Sequence, residues 1–331
     1  MFVDARRLAG ALLLAVSVAA IAQGVLHPLD RASLISPHAT RSVLLDVAFA
    51  GRRAVAVGER GIVLLSDDGG MSWRQAKVPV SASLTKLTFV TERLGWAVGH
   101  YGVILHSSDG GETWQRQLDG RIAAKMDERA ANVADKPFLD VHFTDERNGF
   151  AVGAYNLAFR TRDGGRTWEY WSHHIDNPEA LHLYVIGSAG PFLYIAGEQG
   201  LFLRSTDGGD TFSRLPTPIK ASLFTSAATA SGTIVLAGLR GHVLRTADCG
   251  DTWTKIDASD RASFLAAATW RGARLFLGNQ AGDVFVSSDD GRTIRKLSVA
   301  PVRELTAMAV DDEGQVLATS LRGVIRISMP P

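Results

Sequence analysis

Cysteine is almost absent from this sequence, and Cys249 stands alone. An intrachain disulfide is therefore impossible, and a cysteine-built zinc cage is excluded. An excess of either charge is lacking as well. Thirty-five Lys and Arg meet 34 Asp and Glu, a net charge of +1 over 331 residues. That balance does not draw the chain onto nucleic acid or an acidic membrane. Charged residues make up only 21% against 46% hydrophobic, which excludes a disordered chain and allows a large core. Beyond the first thirty residues no apolar run approaches the roughly 20 residues that span a bilayer. Glycine, by contrast, is plentiful at 33 residues. Glycine interleaved with apolar residues predicts many short strands and many turns.

The amino-terminus reads as a targeting segment. Arg6 and Arg7 precede an uncharged run over residues 8–22, and Ala20-Ile21-Ala22 offers a small-x-small cleavage site before Gln23. The division expected is a signal peptide over 1–22, a linker over 23–31 and a folded region over 32–331, with an insert at 115–137. Retention of the leader as an anchor is the alternative. Its removal leaves 33 basic and 33 acidic side chains. Export to a periplasm, lumen or extracellular space follows, with no strong membrane insertion once the leader is gone.

The rest is a repeat. One octet, Ser/Thr-x-Asp-x-Gly-x-Ser/Thr-aromatic, stands at 66–73, 107–114, 161–168, 205–212, 246–253 and 287–294. In the last copy Ile294 replaces the aromatic residue. Successive copies end 41, 54, 44, 41 and 41 residues apart. Before each octet lie three short apolar runs, the second ending at glycine, and the segment after the octet supplies a fourth. Runs of this length between Gly and Asp turns are antiparallel strands. Four per roughly 41 residues is the period of a propeller blade. A seventh unit begins at Leu305 and stops after its third run. The fold expected is all-β, a seven-bladed β-propeller of four-stranded antiparallel blades. Counting eleven residues back from Leu44 predicts that residues 32–36 supply the missing outer strand of blade seven.

The octet resembles the Asp-box, or BNR repeat, of sialidases and some glycosidases. The larger unit, LDVHFTDERNGFAVG at 139–153 and LTFVTERLGWAVGHYGVILHSSDGGETW from Leu87, resembles the photosystem II stability/assembly factor family and its relatives in non-photosynthetic bacteria. The likeness covers about residues 32–328 and is weaker over blades four to seven. It implies a non-catalytic scaffold that holds a membrane or exported protein, without a cofactor and without nucleic acid, and a monomer is expected.

The turn between the second and third strands of each blade should lie on the face opposite the Asp-box. A tight hairpin asks only for Gly, Asn or Asp there, yet the variable residues are polar, charged and aromatic. They include Arg60, His100, Tyr101, Tyr155, Asn156, Glu198, Gln199, Arg240, Asn279, Gln280 and Arg322. Arg and Tyr are favoured anchors of interfaces, so these residues are the candidate partner-binding ring. The insert places Ile122, Met126, Ala130 and Val133 at helical spacing, with Asp119 as a cap. Arg160, Arg204 and Arg245 recur one blade apart; stacking on outer-strand aromatic rings is the reading favoured, and a basic patch near the Asp-box face is the alternative. The His173-His174 pair lacks a third ligand nearby, so no metal site is assigned. Cys249, in a position that is Gly in most octets, should sit on an exposed turn.

The competing reading is a glycoside hydrolase or sialidase-like enzyme, or a carbohydrate-binding propeller. Glycoside hydrolysis needs two adjacent carboxylates. Asp46, Asp140, Glu59 and Glu198 are the residues to weigh, and the sequence shows no adjacent pair among them. No catalytic residue is assigned.

Overall fold

The strands form where apolar residues run between obligatory turns. In the computed structural model, which describes residues 26–328, they assemble into seven antiparallel sheets in chain order. Blade one shows the pattern, with strands Leu44–Ala50, Arg53–Gly58, Val63–Ser66 and Arg74–Gln75. Inner strands pack on one another round the ring. Second strands such as Gly95–Gly99, Gly149–Gly153 and Ile234–Gly238 are buried along their whole length. Both faces of a blade are covered by its neighbours, which is why these strands read as continuous apolar runs rather than alternating ones.

All six octets close in one way. The Ser or Thr hydroxyl accepts from the backbone N–H four residues on, 2.8 Å at Gly70, Gly111, Gly165 and Gly209 and 2.9 Å at Gly250 and Gly291. The Asp carboxylate accepts the N–H of the second Ser or Thr, as at Thr252 with 2.8 Å and Thr293 with 3.0 Å. With these donors aimed at them, Asp68, Asp207, Asp248 and Asp289 hold a pKa near 2. The turn also docks on the preceding blade. A Cβ at Gly70 would strike Leu317 of blade seven, and one at Gly209 would strike Phe150 of blade three.

The recurrent arginines bolt blade to blade. Arg160 pairs with Asp210 at 2.5 Å, Arg204 with Asp251 at 2.8 Å and Arg245 with Asp290 at 2.9 Å, each partner lying on the next Asp-box turn. Arg160 also lies over the rings of Phe150 and Trp171.

Three expectations need correction. Blade seven has three strands among the described residues, Leu305–Val310, Val316–Ser320 and Gly323–Ile327, and residues 32–36 form no strand. The entry segment lies instead against blades one and two. Ser33 N–H donates to Val78 O at 3.0 Å, Ser81 N–H to Pro28 O at 2.8 Å, and Leu29 is buried in the core between those blades. The pull of that apolar side chain and the open carbonyls of the blade-one connector outweigh the vacancy at blade seven. Within the segment read as a linker, Leu29 is buried and Asp30 meets Arg121 at 2.8 Å, while Leu26, His27 and Arg31 are exposed. The leader over 1–22 lies outside the described residues.

Second, the insert forms one short helix, α1 (Gly120–Met126), and then a separate turn at Glu128–Ala130. Asp119 caps α1 as expected, accepting from Arg121 and Ile122 N–H. Asp127 restarts the chain by accepting from Arg129 N–H, so the helical stripe is broken. Ala130 and Val133 are buried, while Ile122 and Met126 are exposed. Third, Cys249 is buried against the core between blades four and five, and burial pushes its thiol up to about 11.

Candidate functional site

A turn tip is fixed by where its first N–H goes. In every blade it donates to the carbonyl just before that blade's inner strand: Glu59 to Val43, His100 to Ser83, Ala154 to Pro137, Glu198 to His182, Leu239 to Ser222, Gln280 to Ser263 and Leu321 to Glu304. The connector to the next blade crosses close beside the tip. A Cβ at Gly61 would meet Val80 O, one at Gly200 Ile219 O, and one at Gly241 Asp260 O. The tips and connectors therefore make one face, the face that the sequence pointed to.

The middle residue of five tips has a left-handed backbone without being glycine. Arg60, Tyr101, Tyr155, Gln199 and Arg240 have φ of 54°, 60°, 55°, 54° and 56°. Each such residue costs on the order of 1 kcal/mol that glycine would avoid. Their side chains meet different surroundings. Arg60 is 81% exposed. His100, Gln199, Arg240, Gln280 and Arg322 are exposed too, and Arg322 bonds Glu304 at 2.7 Å. Tyr155 is exposed with its ring against His182 at 4.5 Å and Lys136 above it. Tyr101 is half-buried under His27 of the entry segment, with ring centroids 4.9 Å apart.

Other candidates bend back into the fold. Asn279 is fully buried, bonded to Asp260 and to the N–H of Asp283, so it offers a partner nothing. Asn156 donates to Ser172 O and accepts from Asn177. Glu198 accepts from His182 N–H at 3.1 Å.

The four carboxylates weighed for hydrolysis all hold backbone. Glu59 accepts from Val43 N–H, Asp46 from Leu87 N–H, and Asp140 from Ile186 N–H, in each of the last two cases across a blade boundary. Asp46 and Asp140 also flank Lys86, whose ammonium is 3.2 Å from Asp46. Burial raises Asp140 to about 6. Asp46 lies near enough to Asp140 to raise it further, but each is engaged by a backbone N–H and by the charge of Lys86. Among the described residues no group of three or more His, Cys, Asp or Glu is placed to hold a metal. His174 stacks on Trp171 at 3.8 Å, and His173 lies 3.1 Å from Arg129.

One feature escaped the sequence. Every inner strand carries a register shift near its start, as between Leu44 and Asp46 in blade one and Leu305 and Ala307 in blade seven. The skipped residues, among them Leu45, Thr85, Tyr184, Phe224 and Thr306, line a central channel of about 320 Å³ that also holds Lys86. A bulge adds one unpaired residue without changing the apolar pattern, so the runs alone could not reveal it.

Comparison with known proteins fits this picture. The family model described as photosynthesis system II assembly factor YCF48 matches residues 35–126 and 122–330. A photosystem II assembly lipoprotein Ycf48 from Synechococcus sp. (strain CC9902) is 42% identical over 77 residues, 23% of this chain and 23% of that relative. The chain thus aligns with less than a quarter of the curated relative's length. Among solved structures, YCF48 bound to a D1 peptide superposes with a TM-score of 0.66 at 16% identity, covering 93% of this chain and 98% of that one. YCF48 from Cyanidioschyzon merolae gives 0.68 at 18%, covering 91% and 99%. A GH74 enzyme from Niastella koreensis gives 0.62 at 15%, covering 86% and 52%. At these identities the superpositions speak to fold alone.

Proposed function

The chain belongs to the photosynthesis system II assembly factor YCF48 family, and on that footing we propose that it is an exported, non-catalytic scaffold that holds a membrane or exported protein on its tip face. One observation carries the reading. Five tips place Arg, Tyr or Gln in a left-handed conformation that glycine would adopt freely. A purely structural hairpin gains nothing from that strain, whereas a binding face gains projecting side chains. That one relative is a lipoprotein by name and that the YCF48 neighbour holds a D1 peptide supports an exported protein with a protein client. Assembly of a photosystem is the finer form of the proposal.

The test is affinity capture with crosslinking from the native membrane fraction, read by mass spectrometry. The wild type is compared with a variant carrying Arg60→Ala, Tyr101→Ala, Arg240→Ala and Arg322→Ala. The expected result is a membrane protein enriched at least tenfold by the wild type and lost by the folded variant. Equal capture by both would remove the tip face from the function.

A further inference from the structure

Blade seven differs from its six sisters at one position of its third strand. The residue paired with the third-from-last residue of the second strand is Leu64, Leu105, Phe159, Leu203, Leu244 or Phe285 in blades one to six. All six are at most 2% exposed. In blade seven the same register places Ile325 opposite Ala318, and Ile325 is 40% exposed. The cause is visible in the sisters. Each of the six residues shares a packed cluster with the last residue of its own octet, from Trp73 in blade one to Ile294 in blade six. Among the described residues no octet follows the third strand of blade seven, and none covers Ile325.

The same strand lacks a ladder partner. In blade six, Phe285 and Val286 pair with Lys296 and Arg295, and Leu297 N–H donates to Val284 O at 2.8 Å. The equivalent donations onto blades one, three and four come from Ala76, Trp171 and Leu215. Ile325, Arg326 and Val324 occupy those acceptor positions in blade seven and have no fourth strand among the described residues. Beside the edge, Asp67 and Asp68 of blade one with Asp311, Asp312 and Glu313 of blade seven line a cleft of about 410 Å³. Arg52 and Arg326 line the cleft with them; Glu313 pairs with Arg52 at 3.1 Å and Asp67 with Arg53 and Arg74, so the unbalanced charge falls to Asp68, Asp311 and Asp312. The outer strands that fill this place elsewhere are basic in five of six blades, as with Arg74, Arg116, Arg214, Lys255 and Lys296.

We infer that the open edge of blade seven is a second docking site, separate from the tip face. Its occupant is an extended, basic segment of a partner protein, which adds antiparallel to Gly323–Ile327 as a fourth strand. One large apolar residue of the segment covers Ile325, and basic side chains follow it along the acidic cleft. Backbone hydrogen bonds supply affinity and the apolar-then-basic order supplies selectivity.

The probe is a fluorescein-labelled peptide copying Gly291–Leu297, Gly-Arg-Thr-Ile-Arg-Lys-Leu, titrated with the full chain and read by anisotropy. Saturable binding is expected, weakening as salt is raised. Replacing the isoleucine of the peptide by Asp, or its basic residues by Glu, lowers affinity at least tenfold. Ile325→Glu and, separately, Asp312→Lys with Glu313→Lys have the same effect, and their exposed positions allow folding, checked by circular dichroism. The Arg60→Ala and Arg240→Ala variants keep full affinity for the peptide, which separates this site from the tip face. Absence of saturable binding, or affinity unmoved by Ile325→Glu, overturns the proposal.

Discussion

At the scale of single residues, the octets rest on one carboxylate each. Asp248 accepts from the Thr246 hydroxyl, the Thr252 N–H and the Thr252 hydroxyl. Asp248→Ala leaves those donors to water and is expected to lower stability by about 1–2 kcal/mol in urea unfolding. The pH dependence has a definite sign. Asp68, Asp207, Asp248 and Asp289 titrate near 2 when folded and near 3.8 when unfolded, so their contribution is complete above pH 4 and is lost as pH falls toward 2; Asp109 and Asp163 are lowered in the same direction. Asp140 runs the other way. Its folded value near 6 lies above the unfolded 3.8, so its contribution is full below pH 4 and is lost as pH rises through 6. Urea midpoints across pH 2–7 should rise steeply to about pH 4; above it the loss from Asp140 runs against the gain from His142, which burial holds down to about 4, so the curve flattens, and Asp140→Asn should let the rise continue toward pH 6. The sequence made the octet's role plain because every member is needed at a fixed spacing. It did not show that Asn279, Asn156, Glu59 and Glu198 turn inward, because a polar side chain on a tip reads alike whether it meets solvent or its own backbone.

At the scale of elements, the insert depends on its cap. Asp119 is 1% exposed, bonds two N–H groups at the start of α1, and pairs with Arg116 at 3.1 Å. Asp119→Ala should cost about 2 kcal/mol. Proteolysis should then begin in the insert while the blades stay intact, a pattern that limited digestion would report. The helix was legible in part. Its start was, through Asp119, but the second start at Asp127 competed with the apolar stripe and won, because its carboxylate bonds the Arg129 N–H and guanidinium together. The missing outer strand of blade seven was misplaced for a related reason. Counting residues treats the entry segment as another connector, whereas Leu29 finds a ready apolar slot between blades one and two.

At the scale of the whole molecule, the ring closes among the described residues by side-chain packing rather than by a shared sheet. Leu317 of blade seven is fully buried with Leu44, Val47 and Leu64 of blade one, and Thr306 hydroxyl donates to Leu44 O at 2.7 Å. Leu317→Ala should cost about 3 kcal/mol. Its effect on hydrogen exchange should be local, with amides of blades seven and one opening faster and those of blades three and four unchanged. Blade number and order were legible because the repeat carries them. The seam was not, since it is made by residues some 250 positions apart that share no motif.

The docking of each octet turn on the preceding blade sets a direction of assembly. Translation runs from the amino-terminus, so the turn of blade two finds Val55 and Leu65 already made, and the later turns likewise find their supports. Gly70 alone must wait, because Leu317 is nearly the last part of the ring to be synthesised. Blade one therefore emerges with one apolar flank bare and keeps it bare until blade seven has been delivered. That interval, rather than any defect of the finished ring, is when the nascent chain most needs a chaperone.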